Sequence, residues 1–268
     1  MNLPTVTTLR RPSSADEVTT WGPGCAWLAG GTWLFSEPQP ETDTLIDLVG
    51  LGWQPLEGNE SGLTIAATCR IVDLFRMDGD WPALPLFQAC CEAFLASFKV
   101  WNASTIGGNV CMSLPAGPMI SLTAALQGVC TLWPRSGPPR EVSVVDFVTG
   151  NHTNVLQPGE LLRSIHLPAS ALGKRYALRQ TSLTKLGRSA ALIIGTQDES
   201  GDLLLTITAA TDRLVQMRFP KTPTTAELRE TIDRIPTARW FADVHGSADY
   251  KHHLTRYFAE QIRAELAR

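Results

Sequence analysis

The sequence predicts an α+β protein that begins with a small α/β unit and ends in a region of antiparallel strands and helices. Three observations support this class. Strand-like apolar runs alternate with glycine turns and short helical patterns through the first 170 residues. Two apolar runs joined by a polar turn then have the pattern of a β-hairpin. The chain ends on a long amphipathic helical pattern.

The composition is that of an ordinary globular protein. The chain has 44% hydrophobic and 18% charged residues and a formal net charge of -3, which indicates neither disorder nor a membrane span. A mildly acidic balance also disfavours nucleic acid as the main partner. The N-terminus lacks a basic stretch followed by an apolar core, so no signal peptide is predicted and a cytoplasmic location is expected.

The cysteines and histidines do not form a metal-binding pattern. No C-x-x-C spacing occurs, and His252 and His253 have no matching cysteine pair. We therefore expect buried, apolar cysteines, with no metal site and no iron–sulfur cluster in this chain. Nor do the other histidines have a neighbouring serine elbow or paired carboxylates, which disfavours a hydrolytic triad. The cysteines are Cys25, Cys69, Cys90, Cys91, Cys111 and Cys130, and the histidines are His152, His166 and His245.

The first part of the chain is predicted to be a small α/β unit. The apolar run 25–29 predicts a buried strand, which ends in the turn Gly30-Gly31-Thr32. Residues 44–48 predict a second strand. We place a subdomain boundary near residue 53.

The middle region alternates predicted strands and helices around a second glycine motif. That motif is Asn102-Ala103-Ser104-Thr105-Ile106-Gly107-Gly108-Asn109. Apolar residues at helical spacing predict helices, and short apolar runs between polar turns predict strands. The predicted strands cover 63–67, 129–132 and 159–168, and the predicted helices cover 71–75, 86–98 and 120–126.

A domain boundary is predicted near residue 171, where the pattern changes. Apolar runs at 190–197 and 203–210 are joined by the polar turn 198–202, which is the hairpin signature. Two helices are predicted to follow, and the last has an apolar face opposite a polar face that we expect to be solvated. The apolar face comprises Tyr250, Leu254, Tyr257, Phe258, Ile262 and Leu266, and the polar face comprises Lys251, Arg256, Glu260 and Glu265.

The two glycine loops are the candidate ligand site. Glycine tolerates positive φ and has no Cβ, so a glycine loop presents backbone N–H donors to a pyrophosphate at close range. Gly30-Gly31-Thr32 follows a predicted strand and precedes a short helix, whose N-terminus adds favourable partial charge. Gly107-Gly108-Asn109, just after Thr105, supplies a second wall with hydroxyl and amide groups.

Each glycine pair alone is weak, because such a pair is more often a tight turn than a ligand site. The two together are more informative. Neither has the G-x-G-x-x-G or G-x-x-x-x-G-K-[ST] sequence, so an NAD-type Rossmann site and a P-loop are both disfavoured. The sequence therefore predicts a dinucleotide cradle of another kind.

Several short motifs follow one another in an order and spacing that resemble one known family. They are Leu28-Ala29-Gly30-Gly31-Thr32, Leu45-Ile46-Asp47-Leu48, the second glycine motif, Pro115-Ala116-Gly117, Glu160-Leu161-Leu162, Lys185-Leu186-Gly187-Arg188-Ser189-Ala190 and Gly246-Ser247-Ala248-Asp249-Tyr250-Lys251. The chain resembles the FAD-binding (medium) subunits of the xanthine dehydrogenase and carbon monoxide dehydrogenase family of molybdenum hydroxylases. The resemblance covers nearly the whole chain and is strongest in its first two-thirds.

The resemblance implies a two-subdomain PCMH-type FAD-binding domain over 1–170, with subdomains of about 1–52 and 53–170. A C-terminal α+β domain of the CO dehydrogenase flavoprotein type would follow over 171–268. Lys185 would approach the flavin ring, with Arg179 as the competing choice. The other implied FAD-binding residues are Leu28, Ala29, Gly30, Gly31, Thr32, Trp33, Val100, Ser104, Thr105, Ile106, Gly107, Gly108, Asn109, Leu161 and Leu162. The glycine loops would bind mainly through backbone groups, and the two leucines would pack on the adenine side.

Two residues depart from the family's pattern. Pro118 stands where many relatives have an acidic residue after the P-A-G sequence, and proline cannot accept a ribose hydroxyl proton. Trp33 replaces a residue that is commonly small or acidic, which predicts a different pocket rim.

The function implied by the resemblance is electron transfer. Electrons would leave a molybdenum cofactor in a large partner subunit and pass through 2Fe-2S clusters in a small partner subunit to FAD on this chain. NAD+ or another acceptor would then take them. Two alternatives stay open: a stand-alone flavin oxidase, and a degenerate scaffold that has lost FAD, for which Pro118 is the motivation.

Overall fold

The computed structural model describes residues 3–268, which form an α+β protein. Its strands are β1 (Thr8–Arg10), β2 (Cys25–Leu28), β3 (Thr44–Asp47), β4 (Leu56–Asn59), β5 (Gly62–Ala66), β6 (Val129–Trp133), β7 (Arg140–Ser143), β8 (Val148–Gly150), β9 (Thr153–Asn154), β10 (Leu161–Pro168), β11 (Arg175–Ser182), β12 (Ser189–Gln197), β13 (Leu203–Thr208) and β14 (Val215–Phe219). Its α-helices are α1 (Ile71–Phe75), α2 (Leu84–Ala93), α3 (Phe98–Trp101), α4 (Ile106–Met112), α5 (Pro118–Ala125), α6 (Val144–Phe147), α7 (Ala169–Leu172), α8 (Thr225–Asp233) and α9 (Ala248–Leu266). The predicted fold class is confirmed.

The first sheet is parallel and has the order β1-β3-β2. Thr44 on β3 pairs with Thr8 on one side and with Cys25 on the other. The central strand β3 is mostly buried, whereas every residue of β2 is only half-buried. The prediction that β2 is buried is therefore wrong, because this strand lies at the edge of its sheet.

The middle sheet is antiparallel and has the order β4-β5-β10-β6-β7. Its central strand β10 pairs with β5 and β6, so that Ile165 lies between Ile65 and Cys130. All three of these side chains are fully buried in the main hydrophobic core. The apolar strands predicted at 63–67, 129–132 and 159–168 thus form the centre of this sheet.

The single helix predicted over 86–98 is wrong, because two helices occupy this stretch. Helix α2 ends at Ala93, and Leu95 has a left-handed backbone with φ of 50°. Ser97 then adopts an extended conformation as the N-cap of α3. Hydrophobic periodicity does not detect such a break, since left-handed residues that are not glycine are uncommon.

The C-terminal sheet is an antiparallel meander in the order β11-β12-β13-β14. The predicted hairpin is confirmed as β12 and β13, which are buried along their whole length. The outer strands β11 and β14 have mixed burial and were not predicted. Helix α5 is buried on all sides and contacts both β12 and β13, where Ser121 and Thr208 share a hydrogen bond of 2.7 Å. It therefore joins the middle region to the C-terminal sheet.

The two faces of α9 differ from the prediction at two positions. Lys251 was expected to be solvated but is completely buried, and Tyr257 was expected on the apolar face but is 55% exposed. Leu254, Ile262 and Leu266 do pack in the core of the C-terminal domain. Lys251 is buried because the loop before α9 folds back over the first turn of this helix, as described below.

The cysteines are mostly inside the protein, as predicted. Cys69, Cys90, Cys91 and Cys130 are buried, whereas Cys25 and Cys111 are half-buried. Within residues 3–268, no group of three or more His, Cys, Asp or Glu residues is arranged to hold a metal ion. In the same part of the chain, no helix is both long enough and apolar enough to cross a membrane.

Candidate functional site

A cavity of about 870 Å³ lies where the two glycine loops meet the C-terminal domain. This volume is at the upper end of the range of small-molecule and cofactor sites. The N-terminal part contributes Trp27, 29–34, Gln39, 93–95, Val100, Ser104, Thr105, Gly108, Asn109, Cys111, Met112, 114–118, Asn151 and His152. The C-terminal part contributes Leu186, Arg188, Ser189, Ala209, Phe241, Asp243, Val244 and His245. A ligand in this cavity therefore contacts both parts of the chain.

The first glycine loop connects the end of β2 to the cavity wall. A Cβ at Gly30 would lie 2.0 Å from the carbonyl oxygen of Ala103, so only glycine permits the loops to approach this closely. Gly31 has φ of 69°, which favours glycine. The N–H groups of Gly31, Thr32 and Trp33 donate to no other group among residues 3–268. They remain available as donors to an anionic ligand.

The second glycine loop begins helix α4. Thr105 is the N-cap, and its Oγ1 accepts a hydrogen bond of 3.0 Å from the N–H of Gly108. The N–H of Ile106 donates to Cys69, and that of Gly107 donates to Ala67. These N–H groups are already bonded within the protein. The second loop therefore presents mainly side-chain groups, and few free backbone donors, to the cavity.

The two loops are joined by a hydrogen bond between hydroxyl groups. Ser104 Oγ donates to Thr32 Oγ1 over 3.0 Å, and Ser104 is buried. Val100 lines the cavity one turn earlier, on α3. The structure thus brings together the predicted residues at 29–33, 100, 104, 105, 108 and 109.

Other predicted residues lie behind the cavity wall. Gly107 packs on Ala67, since a Cβ at this glycine would meet the Ala67 Cβ at 2.5 Å. Leu161 joins a small cluster with Val18 and Leu48, and Leu162 belongs to the main core. Leu28, Ile106, Gly107, Leu161 and Leu162 do not line the cavity. These residues therefore support the residues that line the cavity and do not form its surface.

Neither candidate for the flavin-ring cation lines the cavity. Lys185 is exposed and belongs to a separate, smaller pocket of about 360 Å³, together with Leu95. Arg179 points to α9, where it donates to Gln261 Oε1 over 2.9 Å and pairs with Glu265. The arginine that does line the cavity is the exposed Arg188.

Glu160, which precedes the two leucines, supports the first glycine loop from behind. Its backbone oxygen accepts a hydrogen bond of 3.0 Å from Trp27 Nε1 on β2. Its buried carboxylate accepts two bonds of 2.7 Å from Arg140. Burial alone raises the pKa of Glu160, but the hydrogen bonds from Arg140 and from the Gln157 N–H outweigh it and hold the pKa below its usual value.

Pro118, the residue after the P-A-G segment, is buried and lines the cavity. Pro118 is the first residue of α5, a position where its missing N–H costs nothing. Asn109 Oδ1 accepts a hydrogen bond of 3.2 Å from the N–H of Met119, so this side chain links α4 to the start of α5. Burial raises the pKa of Cys111, another lining residue, to about 12, which keeps it a neutral thiol.

Sequence reasoning missed several residues of the cavity wall. The rings of Trp33 and His152 lie 5.6 Å apart, and His152 has φ of 56°. Phe241 and His245 reach the same wall from the loop before α9. Trp33 was predicted from its position beside the first loop, whereas His152, Phe241 and His245 gave no signal because each lies more than 40 residues from both loops.

The geometry defines a nucleotide-cofactor-binding protein, since free loop amides and a large cleft between subdomains suit an extended pyrophosphate ligand. The family model for the FAD binding domain in molybdopterin dehydrogenase matches residues 6–170. The chain belongs to this family, and FAD is its cofactor. Among curated protein sequences, none matches the chain significantly.

Solved structures with the same fold cover essentially the whole chain. Quinoline 2-oxidoreductase from Pseudomonas putida 86 has 20% identity and a TM-score of 0.82 over 100% of this chain and 98% of its own. Carbon monoxide dehydrogenase from Hydrogenophaga pseudoflava has 22% identity and a TM-score of 0.80 over 98% and 97%. The Oligotropha carboxidovorans CO dehydrogenase has 20% identity and a TM-score of 0.78 over 98% and 97%. The two-subdomain fold with its C-terminal domain is therefore as predicted.

Proposed function

We propose that this chain is the FAD-carrying electron-transfer subunit of a molybdenum hydroxylase complex. Its partners would be a small iron–sulfur subunit and a large molybdenum-cofactor subunit. The final electron acceptor would be NAD+ or another oxidant. The observation that carries the proposal is the cavity between two glycine loops in a chain of the molybdopterin dehydrogenase family. A similar structure is that of a Cu,Mo CO dehydrogenase, at 20% identity. We also propose that the complex is located in the cytoplasm.

The first glycine loop is our candidate for the pyrophosphate site. The N–H groups of Gly31, Thr32 and Trp33 supply donors without breaking any bond of the fold. From the opposite loop, the side-chain amide of Asn109 adds N–H donors and the Ser104 hydroxyl oxygen adds an acceptor, which suits hydroxyl groups of a ribityl chain or ribose. Ile106 and Gly107 act by holding that loop against Cys69 and Ala67, just after β5. Leu161 acts by packing beside the first loop, and Leu162 by packing in the main core.

The protein's part in the chemistry is to bind, orient and shield the cofactor. Bound FAD supplies the two-electron redox chemistry. The neutral thiol of Cys111 is no competing nucleophile in the cavity. Where the walls from the two parts of the chain cover the ligand, they keep water away from it, and hydrogen bonds from the loop amides are stronger there.

We also propose that the chain divides into a FAD-binding domain at 1–170 and a C-terminal domain at 171–268. The first two sheets lie within 8–168 and the meander within 175–219, which supports a boundary between them. The same reasoning supports the subdomain boundary near residue 53, which falls between β3 and β4. Expression of residues 1–170 alone, followed by circular dichroism and FAD titration, tests this division.

The test of the function is the visible spectrum of the purified chain with and without added FAD. One FAD per chain, identified after acid release, supports the proposal, and a folded chain that stays colourless supports the degenerate scaffold. Copurified partners should then contain iron and molybdenum in measurable stoichiometry. A complex that lacks both metals contradicts the proposed electron source. Bleaching of the flavin in the isolated chain by an alcohol or amine would instead support a stand-alone oxidase.

The acceptor is tested separately with the flavin-loaded chain. Anaerobic addition of NADH should bleach the flavin band if NAD+ is the acceptor, because electron exchange between the two cofactors is reversible. If NADH leaves the band unchanged while an artificial oxidant reoxidises the reduced flavin, the acceptor is a different molecule.

A further inference from the structure

Lys251 is a completely buried cation in the first turn of α9. Its Nζ donates a hydrogen bond of 2.9 Å to Asp243 Oδ1 and one of 3.2 Å to the carbonyl oxygen of Ala209. The ring of Phe241 lies 5.3 Å from the same nitrogen. A buried ammonium group is costly unless its donors are satisfied, so these contacts fix the positions of the groups around it.

The groups that Lys251 contacts are all part of the wall of the FAD cavity. Phe241, Asp243 and Ala209 line it directly. Asp243 also organises the turn that follows, because its Oδ1 accepts a bond of 2.8 Å from the N–H of His245. The turn ends at Gly246, which exchanges two backbone bonds of 3.2 Å with Asp243.

Ala209 connects this wall to the FAD-binding part of the chain. It has a left-handed backbone with φ of 65°, and its N–H donates a bond of 2.7 Å to the carbonyl oxygen of Pro115. Pro115 lines the cavity next to the start of α5. The ammonium group of Lys251 therefore donates hydrogen bonds both to the 241–246 turn and to Ala209, which in turn bonds to Pro115 of the FAD-binding domain.

We propose that Lys251 is a positioning residue for the FAD site. It holds the 241–246 turn against Ala209 and so sets the C-terminal wall that FAD contacts, without touching FAD itself. An uncharged side chain with a single N–H or O–H donor cannot donate hydrogen bonds to both the Asp243 carboxylate and the Ala209 carbonyl oxygen. This inference rests on the proposed function, because it assumes that FAD occupies this cavity.

The test compares Lys251→Met with a matched control, Lys174→Met. Lys174 is a second buried lysine of the C-terminal domain, 3.8 Å from Asp198, and it does not line the cavity. We expect Lys251→Met to raise the Kd for FAD about tenfold or more and to shift the bound flavin's absorption bands. Lys174→Met should leave both within twofold of the wild type. Equal FAD binding by Lys251→Met and the wild type overturns the inference.

A second measurement does not depend on FAD. Hydrogen–deuterium exchange in the apo chain should be faster for peptides covering 241–246 in Lys251→Met and unchanged there in Lys174→Met. Unchanged exchange in Lys251→Met refutes the positioning role, even if the wild type proves not to bind FAD. Failure of the wild type to bind FAD while this exchange effect appears refutes the proposed function alone.

A milder variant covers the case in which Lys251→Met does not fold. Asp243→Asn keeps an oxygen acceptor for Lys251 and His245 but removes the negative charge, and the side chain of Asp243 is 25% exposed. We expect it to weaken FAD binding severalfold and to speed exchange of the 241–246 turn. Wild-type values of both quantities in Asp243→Asn would overturn the inference.

Discussion

Replacement of Gly30 by alanine tests whether the close approach of the two loops builds the FAD site. The new Cβ would lie 2.0 Å from the carbonyl oxygen of Ala103 and 3.1 Å from the Cα of Ser104. An ordinary carbon–oxygen contact is about 3.3 Å, so the loops must separate by roughly 1.3 Å. Gly30 has no left-handed backbone, so the variant tests this contact alone.

The expected size of the effect follows from the cost of overpacking. Inserting a methyl group into a filled space costs about 1–3 kcal/mol, and the cost is avoided only if the loops move apart. Since about 1.4 kcal/mol corresponds to a factor of ten in affinity, the Kd for FAD should rise roughly 5- to 150-fold. The separation also breaks the bond between Ser104 and Thr32, which is 3.0 Å long in the wild type.

The assay is a titration of the apo chain with FAD, followed by quenching of flavin fluorescence, with thermal unfolding measured in parallel. Gly22→Ala is the matched control, because a Cβ at Gly22 has no atom within 4 Å and its backbone is not left-handed. This control should bind FAD as the wild type does. If Gly30→Ala binds FAD as tightly as Gly22→Ala, the loop contact has no part in the site and our reasoning is refuted.

Three further predictions concern the cap, the rim and the support of the site. Thr105→Val removes the N-cap of α4 and should lower the free energy of unfolding by about 1 kcal/mol in urea denaturation, whereas an unchanged value contradicts the cap. Trp33→Ala removes a ring that lies 5.6 Å from His152 and should raise the Kd for FAD about 2- to 12-fold, so wild-type affinity would exclude this rim contact. Because the pKa of Glu160 in the folded protein lies below the ordinary glutamate value of about 4.5, its pairing with Arg140 stabilises the protein above that pH, and this stabilisation is lost as the pH falls through the lower folded value. The Tm advantage of the wild type over Glu160→Gln should therefore be full near neutral pH and shrink below about pH 4.5, and a pH-independent difference argues against the pairing.

Strands and loops with a strong local signal were predicted well. The hairpin strands β12 and β13 are mostly apolar because both of their faces are buried, and the central strand β10 is buried at five of its eight positions. The outer strands β11 and β14 were missed, since half-exposed strands mix polar and apolar residues. The break between α2 and α3 left no signal, because Leu95 is a left-handed residue of an unfavoured type.

The sequence by itself determined the fold family and the two glycine loops. The requirement at Gly31 is local, because this residue has a left-handed backbone, whereas the requirement at Gly30 comes from the second loop, whose Ala103 carbonyl leaves no space for a Cβ. These requirements restrict the residue type at a known position, so they are visible in one sequence.

Only the tertiary structure decided which residues complete the cavity. Phe241 and His245 lie more than 200 residues after Gly30, and only the docking of the C-terminal domain through α5 and β13 brings them to the same wall. Lys251 looked like a solvated residue in the pattern of α9 and is instead buried beneath the turn that carries Asp243. Helical periodicity records the face of a helix but not the loop that covers it, so the position of this lysine depends on contacts that no local pattern contains.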